Sequence, residues 1–395
     1  MKITDVQVFR PFKYVLVKIT TDEGIYGIGE SGTFIFSDSG AEVIKSFKDY
    51  LIGKDPLQIE HHWQYMLRCW HFRGSSIMGA VSAIDIALWD IAGKYFNTPV
   101  YQLLGGKCRD KVRLYYHASG TTIEEQIAGL KEAKRLGYTA AGHLSPFLDE
   151  SREEPFFLPY AQMIEEAAER VGMMRKAVGN DFDLCLELHR RLTPAEAIAF
   201  AEKVEKYTPY FLEDPIPPDN IEDMALVASK TRIPIATGER LISFQEFYQL
   251  ISKNAIAYAR TSMCVCGGIT GTRKIAAIAE AKQVKIIPHN PISPVATMAA
   301  LQFAAATENH TLLEMVDHYG LASMDRYGGS KQNLSVSKAS SGIIKKMPVI
   351  ENGYAIVPDA PGIGVELVDD LEEKFPPQRQ IMITRQHVDG SIVDQ

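Results

Sequence analysis

The sequence predicts an α/β fold: a (β/α)8-type barrel, modified by a weak last helix, with an α+β capping domain formed by N-terminal and C-terminal segments. Three observations carry this. From about Val112 onward, short β-type runs alternate with amphipathic helical stretches, each strand followed by its helix, as parallel βαβ units require. Before that point strands come first and helices after, so residues 1–112 form a separate α+β unit. Past the barrel, residues 346–395 are punctuated by Gly and Pro and then extended. They add no ninth unit to a closed barrel and are expected to run back over the first domain. Residues 113–345 are the barrel.

Along the chain, "KITDVQVFR", "YVLVKITTDEG" and "IYGIGES" alternate like strands, with "DEG" as a hairpin turn. "GAEVIKSFKDYLIG" and "IEHHWQYMLR" follow as helices. In "SIMGAVSAIDIALWDIAGKYF", Ile77, Val81, Ile84, Leu88 and Ile91 recur at spacings of three and four, so a long helix there buries one face. The eight barrel strands are "RLYYHAS", "TAAGHLS", "FDLCLEL", "PYFLED", "IPIATGE", "AIAYARTS", "KIIPHN" and "TLLEMV". Seven clear helices lie between them. The eighth is the weak element, because "SMDRYGGSKQNLSVSKASSG" is polar, rich in Gly and Ser, and without helical period.

With 395 residues, 46% of them hydrophobic, the chain can bury a large core or two domains. A net charge of −7 of mixed sign points to neither nucleic acid nor an acidic membrane surface. The start, "MKITDVQVFR", lacks the apolar core of a signal peptide, and no uninterrupted apolar run reaches the roughly 18 residues of a membrane span. Five cysteines, few and odd in number, suit a reducing cytosol, so a cytoplasmic location is expected. Cys264 and Cys266 are too close together for the usual zinc spacings.

Barrels of this kind place their chemistry at the C-terminal ends of the strands. The third strand ends in Glu187 and His189, the fourth in Glu213, the fifth in Glu239. Successive glutamates are 26 residues apart, one β/α unit each, which predicts convergence at one height. Three converging carboxylates repel one another, so either they are partly protonated or a cation holds them, and oxygen-only ligands suit Mg2+. The seventh strand ends in His289, opposite the third, so His189 and His289 are expected to face each other across the mouth. One imidazole could take a proton from a substrate while the other donates one. Glu314, on the eighth strand, either orients a substrate oxygen or forms a structural salt bridge. A divalent cation beside a His base suits removal of a proton α to a carboxylate, and a second His suits protonation of a leaving hydroxyl, which together give β-elimination of water.

These residues resemble the enolase superfamily, mandelate racemase group, over nearly the whole chain, ending in "PGIGVEL". Within it, "ELHRR", "FLEDP", "GER", "CGGITG" and "PHN" are most similar to acid-sugar dehydratases of the galactonate and mannonate types. The resemblance implies one Mg2+ per subunit on Glu187, Glu213 and Glu239, and no organic cofactor. It implies His289 as general base at C2, His189 as general acid at the C3 hydroxyl, Glu314 as a substrate-orienting acid, and a 2-keto-3-deoxy sugar acid as product. Three positions depart from the pattern: Glu187 where Asp is usual, Gly142 where strand two usually carries Lys or Arg, and Ser262 where galactonate-type members carry an Asp partner for the strand-seven His. By parity with Gly142, His143 and Ser145 are expected to face away from the site. The missing strand-two lysine disfavours the alternative of an epimerase or racemase, and a catalytically attenuated binding homologue is the alternative of another class. Arg73 and Trp70, before the long helix, and Phe34, in the "GTFIFSDSG" loop, are expected cap contacts to the substrate. The partner is a small-molecule sugar acid, and a homo-oligomer is expected.

Overall fold

A computed structural model of the chain describes residues 1–118, 120–148, 154–316, 341–378 and 384–394. The N-terminal unit begins with an antiparallel sheet of β1 (Ile3–Phe9), β2 (Val15–Thr21) and β3 (Tyr26–Ser31), in that order. Helices α1 (Ser37–Leu51), α2 (Ile59–Arg68) and α3 (Ser75–Tyr95) follow. Helix α3 lies so close on the sheet that a Cβ on Gly27 or Gly29 would stand 1.9 Å from the carbonyl oxygen of Ala87 or Ala83. The glycines of "YGIGES" are therefore the contact itself.

The periodic residues Val81, Ile84, Leu88 and Ile91 of α3 are buried, but so is most of the rest of the helix. The barrel covers its other side: Trp89 donates to Thr270 Oγ1 at 2.9 Å, and Asp85 accepts from the Thr270 amide at 3.0 Å. By length and composition these 21 residues could cross a membrane, yet 83% of the apolar window is buried within the protein.

A short helix, α4 (Val100–Leu103), leads into the barrel. Its strands are β4 (Lys111–His117), β5 (Ala140–Leu144), β6 (Asp183–Glu187), β7 (Phe211–Glu213), β8 (Ile235–Thr237), β9 (Tyr258–Ala259), β10 (Lys285–Ile286) and β11 (Leu313–Glu314); β4 begins two residues before the run read from sequence, and the other seven lie within theirs. Neighbours from β4 to β10 pair in parallel, and β11 pairs in parallel with β4. Between β10 and β11, the Ile286 amide donates to Asn309 O at 2.8 Å and the Thr311 amide to Ile286 O at 3.1 Å, which carries the order round the ring. Helices α5 (Ile123–Arg135), α6 (Tyr160–Val178), α7 (Pro194–Val204), α8 (Ile221–Lys230), α9 (Phe244–Ser252), α10 (Gly268–Glu280) and α11 (Pro294–Ala306) alternate with them. Capping boxes at Thr122–Glu125, Thr193–Glu196 and Ser243–Glu246 start three of these helices. Tyr115, Cys185, Phe211 and Ile287 are packed together as inward-facing strand residues. Cys264 and Cys266 are buried free thiols. The weak eighth helix, up to residue 340, lies outside the described residues.

The C-terminal segment divides its contacts. A hairpin of β12 (Ile350–Glu351) and β13 (Tyr354–Ile356) pairs with β4, extending the barrel sheet antiparallel. The chain then touches the cap: Ile363 N donates to Asp90 at 2.8 Å, and the Phe375 ring packs tilted against Phe12 at 5.1 Å. The last described stretch, with β14 (Arg385–Gln386) and β15 (Ile392–Val393), goes back to the barrel instead. There Asp394 meets Arg190 and Arg240 at 3.5 and 3.3 Å.

Asp85 gives the cap–barrel contact a pH dependence. Burial raises its carboxyl from 3.8 to about 7, against the Thr270 amide that favours the ionised form. The folded chain thus holds a proton that the unfolded chain has lost, and this group's stabilisation falls as pH rises from about 4 to about 7. Asp85→Asn should gain on the parent across that window in thermal unfolding; parallel curves of Tm against pH would refute the assignment.

Candidate active site

The strand ends are turned by backbone in the left-handed region: His143 (φ 57°), His189 (48°), Arg190 (63°), Asp214 (41°) and Gly238 (137°) follow or end β5 to β8. For residues with a side chain this conformation costs on the order of 1 kcal/mol or more, and such strain gathers at functional sites. It also breaks the alternation on which strand parity rests. Gly142 does face the barrel interior, since a Cβ there would lie 2.4 Å from the Tyr115 ring. The expectation that His143 faces away is overturned. The pairing register shifts between Ala141 and Leu144, and the His143 ring stacks on His117 at 5.0 Å and meets His189 edge-on at 5.0 Å.

Glu187 and Glu213 are direct register partners on β6 and β7. Glu213 is opposite Ala236, however, so Glu239 lies beyond the end of β8 rather than at the same height. Equal spacing along the chain misleads here because β8 ends sooner than β7 relative to its carboxylate. The Glu187 carboxylate accepts the His189 amide at 3.0 Å. Glu213 is held by Arg260, which also donates to Glu314 at 2.5 Å and Tyr115 Oη at 2.9 Å. Glu239 is held by Arg190 at 2.5 Å and His289 Nε2 at 3.1 Å. Arg190 also binds Asp214 at 2.8 Å.

Glu314 has both oxygens engaged: Oε1 by His117 Nε2 at 2.7 Å, Oε2 by Arg260 and by the Asn290 amide at 3.0 Å. Phe34 reaches the site, its ring 6.1 Å from that of His289. Trp70 and Arg73 are exposed, and the described ring contact of Trp70 is to its neighbour His71. Ser262 Oγ and His289 Nδ1 are buried without a hydrogen-bond partner among the described residues.

Acidic side chains outnumber guanidinium groups at the site. Five carboxylates, Glu187, Glu213, Asp214, Glu239 and Glu314, face two guanidinium groups, Arg190 and Arg260. Burial, then Glu213, Glu239 and Asp214, push the Glu187 carboxyl well above its ordinary value. Burial raises Glu213 to about 7 although Arg260 opposes it. Burial would also raise Glu239, but His289, Arg190 and His189 outweigh it and hold it below the ordinary range. For His289, burial is outweighed by Glu239 and Glu314, and the imidazole is raised. A hard divalent cation fits this donor set, because it would offset the surplus that leaves Glu187 uncompensated.

Sequence reasoning passed over His117, Arg190 and Arg260, and placed His143 on the wrong side. The strand-end rule that found Glu187 also points to His117, the last residue of β4, and to Arg260, one past β9.

A family described as Enolase C-terminal domain-like matches residues 141–371, and one described as Mandelate racemase / muconate lactonizing enzyme, N-terminal domain, matches 4–105. The chain is 34% identical to a D-galactonate dehydratase of Ralstonia pickettii, covering 100% of both chains. It is 33% identical to one of Pectobacterium atrosepticum, over 94% of this chain and 93% of that one. Among solved structures, an enolase-superfamily member from Salmonella Typhimurium superposes with a TM-score of 0.85 at 29% identity, over 95% of this chain and 98% of that one. An Agrobacterium radiobacter enolase, a candidate galactarate dehydratase solved with sodium and L-malate bound, gives 0.87 at 28% identity over 100% of both.

Proposed function

This chain belongs to the enolase superfamily, mandelate racemase group, beside its sugar-acid dehydratases, and from that premise we propose a Mg2+-dependent dehydratase of an aldonate such as galactonate, mannonate or gluconate. The observation that carries this reading is the acid surplus of buried Glu187 and Glu213 and half-buried Glu239, with a histidine on either flank. Those three glutamates would hold Mg2+, which supplies a Lewis acid that makes the proton α to a carboxylate easier to remove. His289 takes the C2 proton. His189 gives a proton to the C3 hydroxyl as the C3–O bond breaks, water leaves, and the enol tautomerises to a 2-keto-3-deoxy acid. Phe34, against His289, shields the base from water. Glu314, whose oxygens accept from His117, Arg260 and the Asn290 amide, orients the loop carrying His289 and, through it, the substrate-facing base. Arg73 and Trp70 are assigned to the substrate only if cap loops close over the mouth.

A panel of aldonates and aldarates, assayed for 2-keto acid with and without Mg2+, tests the reading. One aldonate should turn over with Mg2+ and fall to background with EDTA. Uptake of solvent deuterium at C2 without loss of water would instead identify an epimerase. Binding of these acids with no product from any of them would identify an attenuated homologue.

A further inference from the structure

We infer that His143, Glu187 and His189 form a second cation site, for an imidazole-preferring divalent ion of the Zn2+ type, overlapping the acid cluster through Glu187. One ligand atom from each of the three lies within 4.8 Å of the others, and His189 Nε2 is 4.0 Å from Glu187 Oε1. Zn–N bonds of about 2.0–2.1 Å place tetrahedral ligand atoms roughly 3.4 Å apart, so closure needs about an ångström of side-chain movement. Two imidazoles and one carboxylate form a catalytic-type zinc set that leaves a coordination position open. Mg2+, which prefers oxygen and sheds water reluctantly, is a poor match for it.

The site is built rather than incidental. Both histidines sit on left-handed backbone, at φ 57° and 48°, and without those turns strand alternation would carry His143 away. Behind His143, the His117 ring stacks at 5.0 Å and 8° and is itself tied to Glu314 at 2.7 Å. The His189 amide holds Glu187 at 3.0 Å. Glu187 is also the acid that Arg190 and Arg260 leave without a direct ion pair, whereas Glu213 and Glu239 each have one. Because Glu187 would serve both ions, Zn2+ should displace Mg2+ and occupy His189. That consequence rests on the dehydratase reading; the site does not.

Binding is therefore read directly. The metal-free full-length chain is titrated with Co2+, followed by visible absorption and equilibrium dialysis, in the parent, His143→Gln and Glu239→Gln. The parent should bind Co2+ with the intense bands of a low-coordinate, imidazole-ligated ion. His143→Gln should weaken binding by at least about tenfold, and Glu239→Gln should keep the bands. In the parent with 15N-labelled histidine, Zn2+ should shift the signals of His143 and His189, which guards against misfolding of a variant. Bands that survive His143→Gln and vanish in Glu239→Gln, or Zn2+ shifts at His289 alone, would overturn the site. Failure of every sugar acid to react would leave this result standing.

Discussion

His289→Asn should lower kcat on the aldonate that turns over by about 10²–10⁴, the usual weight of a positioned acid–base group. The ring has Nε2 on Glu239 at 3.1 Å, beside the acid cluster, and Nδ1 buried without a hydrogen-bond partner among the described residues. Asparagine keeps the backbone bond from residue 289 to Thr261 O, at 3.1 Å, and cannot accept the C2 proton. The fold should therefore survive. The companion variant separates the two roles: His189→Asn should retain exchange of the C2 proton with solvent while losing elimination, whereas His289→Asn loses both. Proton NMR in D2O reads the exchange and a 2-keto acid assay reads the elimination. Elimination retained in both variants would refute the roles.

Arg260→Met should destabilise the fold by about 3–5 kcal/mol, as breaking a buried charge network from one side does. The Arg260 side chain is 2% exposed and donates to Glu213, Glu314, Tyr115 Oη and the carbonyls of Ile287 and Pro288. Methionine fills the space and leaves two buried carboxylates without their cation. Both carboxyls then shift upward, so the folded variant binds protons that the unfolded chain has released, and its stability falls as pH rises above about 4.5. The deficit should be larger at pH 8 than at pH 5 in urea unfolding. A variant within about 1 kcal/mol of the parent at pH 8 would show that the network contributes little to the fold.

Much of this is legible in the amino-acid sequence. Alternation and helical period located all eight barrel strands, and the strand-end rule brought Glu187, Glu213, Glu239, His189, His289 and Glu314 into view. It erred at His143, because the parity argument assumes extended backbone and that residue has a φ of 57°. It also set Glu239 level with its neighbours, because a constant interval in sequence ignores how far each strand runs before turning.

By itself the sequence determined the architecture and the chemical types at the mouth, because burial patterning and strand-end position are local properties of the chain. Only the tertiary structure decided who meets whom: Arg190 pairs with Glu239, Arg260 with Glu213 and Glu314, His117 with Glu314, and the His143 ring lies against that of His189 and near Glu187. Most of those partners are far apart in sequence and meet only when the ring closes. Their charge states follow from a shared burial that no single segment carries.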